Sequence, residues 1–270
     1  MLMNTLFSYG DGDFSLTHSR TEQPDPATFR MHTHPKIELL YFEKGRGIFR
    51  AEGNEYSLES GDLLVMQPAE SHYITPNPKY AYERKVLHFD ADILHAIDPD
   101  GQLLRCVRNR NPGKDNLYRA KDFSQGSCAP YFDRMLSPFG HTRVNIFAGL
   151  IPLLAEMSQI HQSRTEDVPN DTRISQIIRY INANLEKPLT LDGLCEEFFL
   201  SKTQLCRLFK EATGTTAWQY ITTKRLIKAV QEIEAGEKPT HVFSRCGFSD
   251  YSNFYRAYVK HFGHTPGEQK

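Results

Sequence analysis

The chain predicts a two-domain α+β protein: an N-terminal antiparallel β-barrel with a helical hairpin, then an all-α domain holding two helix-turn-helix units joined by a long helix. Three observations predict it. Short apolar runs separated by turn residues fill the stretch from Phe29 to Phe89, the apolar spacing turns to three-four beyond Asp90, and a capped cationic stretch at 201–214 recurs at 250–263. Evenly spaced short runs are the mark of strands in a sandwich or barrel. A three-four spacing marks one face of a helix.

The strand candidates are IELLYF (37–42), GIFRA (47–51), YSL (56–58), DLLVM (62–66) and KVLHF (85–89). Between them stand Glu43-Lys44-Gly45, Glu52-Gly53-Asn54, Glu59-Ser60-Gly61-Asp62 and Pro76-Asn77-Pro78, residues that suit tight turns by positive φ, fixed φ or side-chain bonding to the backbone. Further on, Val144, Phe147, Leu150, Ile151, Leu154, Met157 and His161 read as one helical stripe, with a kink expected at Pro152, which lacks a backbone N–H. A shorter helix over 129–136 is expected to pair with it as an antiparallel hairpin. The polar SRTEDVPND (163–171) separates two helical patterns, so the domains are placed at 1–164 and 173–270, with 165–172 as linker. Helices follow at Ile174 to Ile181, Leu191 to Phe199, Ser201 to Gly214, Thr216 to Ala235 (closed by Gly236), Thr240 to Cys246 and Asp250 to Phe262.

At 270 residues, 39% hydrophobic and 24% charged, the composition is that of a folded globular protein, not a disordered one. Met1 to Tyr9 lacks the basic patch and apolar run of a signal peptide, and the longest apolar run, Phe147 to Ala155, is too short and broken to span a bilayer. A cytoplasmic protein with no membrane partner is expected. Cys106, Cys128, Cys195, Cys206 and Cys246 form an odd, scattered set without a CxxC pair, which points to neither disulfides nor a zinc finger. The net charge of −1 hides an asymmetry: residues 171–270 carry 14 Lys+Arg against 11 Asp+Glu, while residues 1–170 carry 18 against 22. So small an excess does not by itself argue for nucleic acid; the placement of the charges does.

In 201–214, Ser201 and Gln204 have capping-box spacing, Leu205, Leu208 and Phe209 make one apolar stripe, and Lys202, Thr203, Cys206, Arg207 and Lys210 are left outside. Gly214 is expected to end the helix in a left-handed conformation. The copy places Arg256 and Gly263 49 positions after Arg207 and Gly214, whereas Phe248-Ser249 follow Leu200-Ser201 by 48, so one extra turn residue separates the copies. A single cationic helix is more often a solvated surface; two register-matched copies, each after a short helix and a turn, fit the helix-turn-helix plan for entering a DNA groove.

These blocks, LSKTQLCRLFKEATG, YITTKRLIKAV and CGFSDYSNFYRAYVKHFGHTP within 174–267, resemble the DNA-binding domain of AraC/XylS-type transcription regulators. The resemblance implies seven helices, with two recognition helices in successive major grooves about 34 Å apart. It implies base contacts at Thr203, Cys206 and Arg207 on the first and at Ser252, Asn253 and Arg256 on the second, with arginine reading guanine and Asn253 reading adenine. Lys202, Lys210, Lys224 and Lys260 would bind phosphate. Phe243 in place of a small alanine, Tyr258 for phenylalanine and Val259 for lysine depart from the family pattern. A bulky ring at a helix crossing is expected to spread it, leaving more sequence specificity to the first helix.

In the first half, His32, His34 and Glu38, then Gly45, Gly61-Asp62, Pro68 and His72, resemble the two cupin motifs. In metal-dependent cupins the matching residues bind one metal ion; AraC-type sensor domains keep the pattern and hold a small molecule. The expected effector pocket is His32, His34, Glu38, Tyr41 and His72, walled by Tyr41, Phe49, Tyr56, Tyr73 and Tyr82, for a sugar or small organic acid and without a cofactor. The resulting expectation is a non-enzymatic, sequence-specific regulator that acts on double-stranded DNA, answers to a small-molecule effector and forms a homodimer, with RNA polymerase as a further partner. The alternative is a cupin metalloenzyme or metal sensor using His32, His34, Glu38 and His72.

Overall fold

Strand pairing in the first half follows from side chains that alternate between two apolar environments. The computed structural model describes residues 4–137, 142–164, 173–213 and 215–267. They form two units, described in turn; the expected linker at 165–172 and the expected cap at Gly214 lie outside the described residues.

The first unit contains β1 (Asn4–Gly10), β2 (Phe14–Thr21), β3 (Ile37–Lys44), β4 (Arg46–Ala51), β5 (Asn54–Glu59), β6 (Asp62–Met66), β7 (His72–Pro76), β8 (Tyr82–Phe89) and β9 (Leu117–Tyr118). They make a six-stranded sheet in the order β1-β2-β8-β3-β6-β9 and a three-stranded sheet β5-β4-β7. The pairings described are antiparallel, as a chain of hairpins requires. Strand β3 is buried from Ile37 to Phe42 because both of its faces are covered. Leu40 and Phe42 point into a cluster shared by the two sheets, with Phe49, Leu58, Leu64, Met66, Ile74, Tyr82 and Val86. Ile37, Leu39 and Tyr41, of the other parity, join Phe132, Met135, Leu150, Leu153, Leu154 and Met157 in a second core.

That second core is supplied by α2 (Ala129–Met135) and α3 (Thr142–Ser163), with the short α1 (Arg105–Arg108) beside them. Helix α3 carries Pro152 in its interior. Its buried side differs from the expected stripe: Ile146 and Leu153 are fully buried, and Val144 is 62% exposed. The hairpin closes tightly at Gly149, where a Cβ would lie 2.4 Å from the Tyr131 carbonyl oxygen.

The second unit is built from α4 (Arg173–Ala183), α5 (Leu191–Glu197), α6 (Lys202–Thr213), α7 (Ala217–Glu234), α8 (Pro239–Arg245) and α9 (Tyr251–Phe262), and takes in the short segments Met31–Pro35 and Glu52–Asn54. Six helices stand among its described residues where the resemblance implied seven. Thr190 caps α5, and Thr216 with Gln219 forms a capping box on α7. Helix α7 is the shared spine. Its start, through Ala217, Tyr220 and Ile221, packs with α4, α5 and α6; its later part, through Leu226, Ala229, Val230 and Ile233, packs with α8 and α9. Phe243 is half-buried and meets Tyr251 edge-on at 5.7 Å, so the ring that was expected to spread the crossing is accommodated as part of the apolar cluster.

Candidate nucleic-acid interface and sensor site

The two helix-turn-helix units, α5-turn-α6 and α8-turn-α9, each bury one stripe of the second helix and expose the opposite face. In α6, Leu205, Phe209 and Thr213 are buried, whereas Lys202, Thr203, Cys206, Arg207 and Lys210 are exposed. In α9, Phe254 and Tyr258 are buried and Ser252, Asn253, Arg256 and Lys260 are exposed. Every base-contact candidate therefore stands on an outward face. The capping box expected at Ser201 is present: Ser201 N donates to Gln204 Oε1 at 3.0 Å, and Gln204 N donates to Ser201 Oγ at 3.3 Å. Helix α9 is capped by Asp250, which accepts from Asn253 N at 2.8 Å, and it ends at Gly263 with φ 77°. Lys202 pairs with Asp192 at 2.7 Å, and Arg207 approaches Glu211 at 4.0 Å.

Among the phosphate candidates Lys224 is a correction. It is 5% exposed and its ammonium pairs with Glu52 inside the helical unit, where Glu52 also accepts from the Tyr220 hydroxyl and from Asn182 Nδ2 at 3.0 Å. A buried ammonium needs such a partner, and a lysine so placed does not present its charge to a phosphate.

In the first unit Glu38 and His72 are brought together, each 3% exposed. Glu38 Oε2 lies 3.4 Å from His72 Nε2 and 3.0 Å from His88 Nε2. The other nitrogen of His72, Nδ1, faces the Glu70 carbonyl at 2.8 Å. A carbonyl only accepts, so Nδ1 carries the proton and Nε2 turns to Glu38. Burial opposes the charging of His72, but the Glu38 carboxylate and the bond to Glu70 outweigh it and raise the pKa above its ordinary value. His32 and His34 lie on Met31–Pro35, ahead of β3, with their rings 6.2 Å apart.

Residues 14–114 match the family described as AraC-like ligand binding domain, and residues 194–270 match the one described as helix-turn-helix domain. The chain belongs to the AraC family of transcription regulators. Among its curated relatives are the HTH-type transcriptional activator RhaS of Citrobacter koseri, 24% identical over 248 residues covering 89% of this chain and 87% of the relative, and the HTH-type transcriptional activator RhaR of Shigella dysenteriae, 21% identical over 89% and 86%. ToxT from Vibrio cholerae is a solved structure with 11% identity and a TM-score of 0.43 over 95% of this chain and 96% of that one. An AraC-type DNA-binding regulator from Chromobacterium violaceum is 32% identical over 35% of this regulator and 85% of its own chain, with a TM-score of 0.33.

Two of the aromatic expectations for the regulator's sensor site are corrected by strand parity. Tyr41 is three residues from Glu38 and so points to the opposite face of β3, where it stacks on Phe132 at 5.3 Å beneath the Lys85 ammonium. Burial there pushes its hydroxyl up to about 12. Tyr73 likewise lies opposite His72, with the Arg50 guanidinium 5.5 Å from its ring. Phe49, Tyr56 and Tyr82 do face the inner cluster, and Phe49 stands 6.0 Å from His72.

Sequence reasoning left His88 out of the site; the β3–β8 register sets it opposite Glu38. It also missed the support beneath His72. Glu70, 1% exposed, accepts from Arg110 Nη1 at 2.9 Å, Asn116 Nδ2 at 3.0 Å and Gln67 N at 2.7 Å. Burial pushes this carboxyl up, but Arg110 and the backbone N–H groups of Gly113 and Gln67 more than offset that and hold it below the ordinary range. Its stabilising contribution is thus present above the ordinary carboxylate pKa and lost as pH falls through the lowered one. No local pattern announces a pair 40 residues apart.

Proposed function

We propose that this regulator is a transcription activator that reads two successive major-groove segments with α6 and α9, under the control of a small polar effector held by the first unit. The observation that carries the reading is the duplicated, outward-facing cationic helix, with an arginine at the same place in both copies, Arg207 and Arg256. Guanidinium groups can pair bidentately with guanine O6 and N7, for about 1–3 kcal/mol of discrimination. Thr203, Cys206 and Ser252 complete the proposed base-facing set, and Lys202, Lys210 and Lys260 the phosphate set. Activation is proposed because the full-length relatives are named as activators. A homodimer would set two such readers on repeated half-sites; contact with RNA polymerase and a cytoplasmic location belong to the same proposal.

For the effector, Glu38 and His72 of the first unit are the proposed polar contacts, and the inner cluster of Phe49, Tyr56 and Tyr82 the apolar wall, a combination suited to a sugar or small organic acid. A titration of duplex binding against salt tests the DNA reading. Affinity that falls steeply with salt and differs between sequences supports it; affinity indifferent to both refutes it. Thermal-shift screening of sugars and small acids against the whole chain tests the effector class.

One observation favours a second reading. The Nδ1–H of His72 is held by a backbone carbonyl while Nε2 faces Glu38, the arrangement that prepares an imidazole to ligate a metal. Glu38 and His72 therefore suit a divalent transition metal, and such an ion would supply Lewis acidity to a bound effector. Metal analysis of protein purified without chelator separates the two readings: stoichiometric metal supports the second, and a metal-poor protein with full duplex binding removes it.

A further inference from the structure

We infer that Asn253 positions Arg256 for base reading and does not itself read a base. This rests on α9 being a DNA-recognition helix and deepens that reading. The N-cap Asp250 accepts from Asn253 N with one carboxylate oxygen and from Asn253 Nδ2 with the other. Asn253 Oδ1 then accepts from Arg256 Nη2 at 2.7 Å, and Arg256 Nε reaches the Ser252 carbonyl at 3.4 Å. The amide orientation is fixed by chemistry: a carboxylate only accepts and a guanidinium only donates, so Nδ2 must face Asp250 and Oδ1 must face Arg256.

Reading adenine takes both halves of an asparagine amide. One N–H and one lone pair of the Asn253 amide are already committed to Asp250 and Arg256, so the protein and not a base sets the plane of that amide. Arg256, in contrast, keeps what guanine needs. Of the five N–H donors of a guanidinium, Nε and one on Nη2 are turned to the protein; the end edge, Nη1 with the remaining Nη2 donor, offers two parallel donors. These bonds are exposed and weak in water, yet they hold the side chain in one orientation before binding, which lowers the ordering cost of association and strengthens when the groove excludes water.

The matched residues of α6 lack this chain. Gln204 stands where Asn253 does, but its longer side chain turns back to Ser201 N, and among the described residues Arg207 approaches Glu211 at 4.0 Å. Tethering is a property of α9 and not of the repeat.

The test is selection of a randomised duplex library by the full-length protein, comparing the native chain with Arg256→Ala, Asn253→Ala, the double variant and Asp250→Asn. Arg256→Ala is expected to remove a guanine preference at one position, by roughly 5- to 150-fold. Asn253→Ala is expected to weaken the same preference at the same position by roughly 3- to 10-fold, as for side chains in contact, and to add nothing in the double variant. Asp250→Asn keeps a capping oxygen but sets a donor against Nδ2, so it should weaken the same preference with the melting temperature retained, and it carries the test if Asn253→Ala unfolds the helix. Loss of an adenine preference elsewhere with Asn253→Ala, or multiplicative losses in the double variant, would overturn the inference. If Arg256→Ala alters no base preference, the premise that α9 reads bases fails instead.

Discussion

The units α5–α6 and α8–α9 share one plan and diverge at matched positions in the turn, the cap and the reader. The left-handed turn position is Phe199 in the first, with φ 51° and 89% exposure, and Gly247 in the second, with φ 84°. At Gly247 a Cβ would lie 2.2 Å from the Leu185 carbonyl oxygen, so glycine is required twice over; at Phe199 a bulky residue sits in a backbone region that costs L-residues roughly 1–2 kcal/mol and gains no burial in return. The cap is a serine–glutamine box in α6 and an aspartate in α9. Arg207 is loosely paired, whereas Arg256 is tethered. The two copies share the frame that exposes an arginine at one matched position and differ in how that arginine is held. The ranking that favoured α6 rested on Phe243 spreading the second unit, and Phe243 packs into the cluster.

The largest effects should come from the cores. Phe209→Ala and Phe254→Ala each truncate a fully buried ring and should cost about 3–5 kcal/mol in denaturant unfolding. Since the two rings belong to separate clusters, amide exchange should rise first around α5–α6 for one and around α8–α9 for the other. Uniform loosening in both would show that the units are one cooperative body and would weaken the comparison. Next come the turns, with opposite signs: Gly247→Ala should lower stability by more than about 1 kcal/mol, and Phe199→Gly should raise it by roughly 0.5–1 kcal/mol. Equal signs would mean that the turns are not equivalent positions.

A smaller effect sharpens the reader difference. Grafting the tether into α6 with Ser201→Asp and Gln204→Asn should raise the guanine preference assigned to Arg207 by roughly 2- to 5-fold, in the range of one added side-chain hydrogen bond. The smallest effects concern phosphate. Lys210→Ala and Lys260→Ala should each reduce the slope of log affinity against log salt by about 0.9, without changing base preference. Lys202→Ala should change it less, because that ammonium is already paired with Asp192.

What was legible in the sequence was periodic or local. Alternation located β3, β4, β5, β6 and β8, capping spacing located α6, and the recurrence of that stretch located α9, each helix to within a residue or two. Outward placement of Arg207 and Arg256 followed from the same spacing. Strands β1, β2 and β7 were not legible, since NTLFSYG, FSLTHSRT and HYITP acquire their apolar faces only against a neighbour. Tyr41 was misassigned though parity with Glu38 was available in the strand. Lys224 and Glu70 were beyond reach, because the partners that bury them are 172 and 40 residues away.

In the proposed function one arginine on each recognition helix, Arg207 on α6 and Arg256 on α9, reads the DNA. Base-preference profiles of Arg207→Ala and Arg256→Ala, selected from a randomised duplex library, test it most directly. Each substitution should erase a guanine preference at a single position, worth about 1–3 kcal/mol, with the two positions about one helical turn apart. A uniform loss of affinity across all sequences in either variant would make that arginine a phosphate contact and contradict the claim.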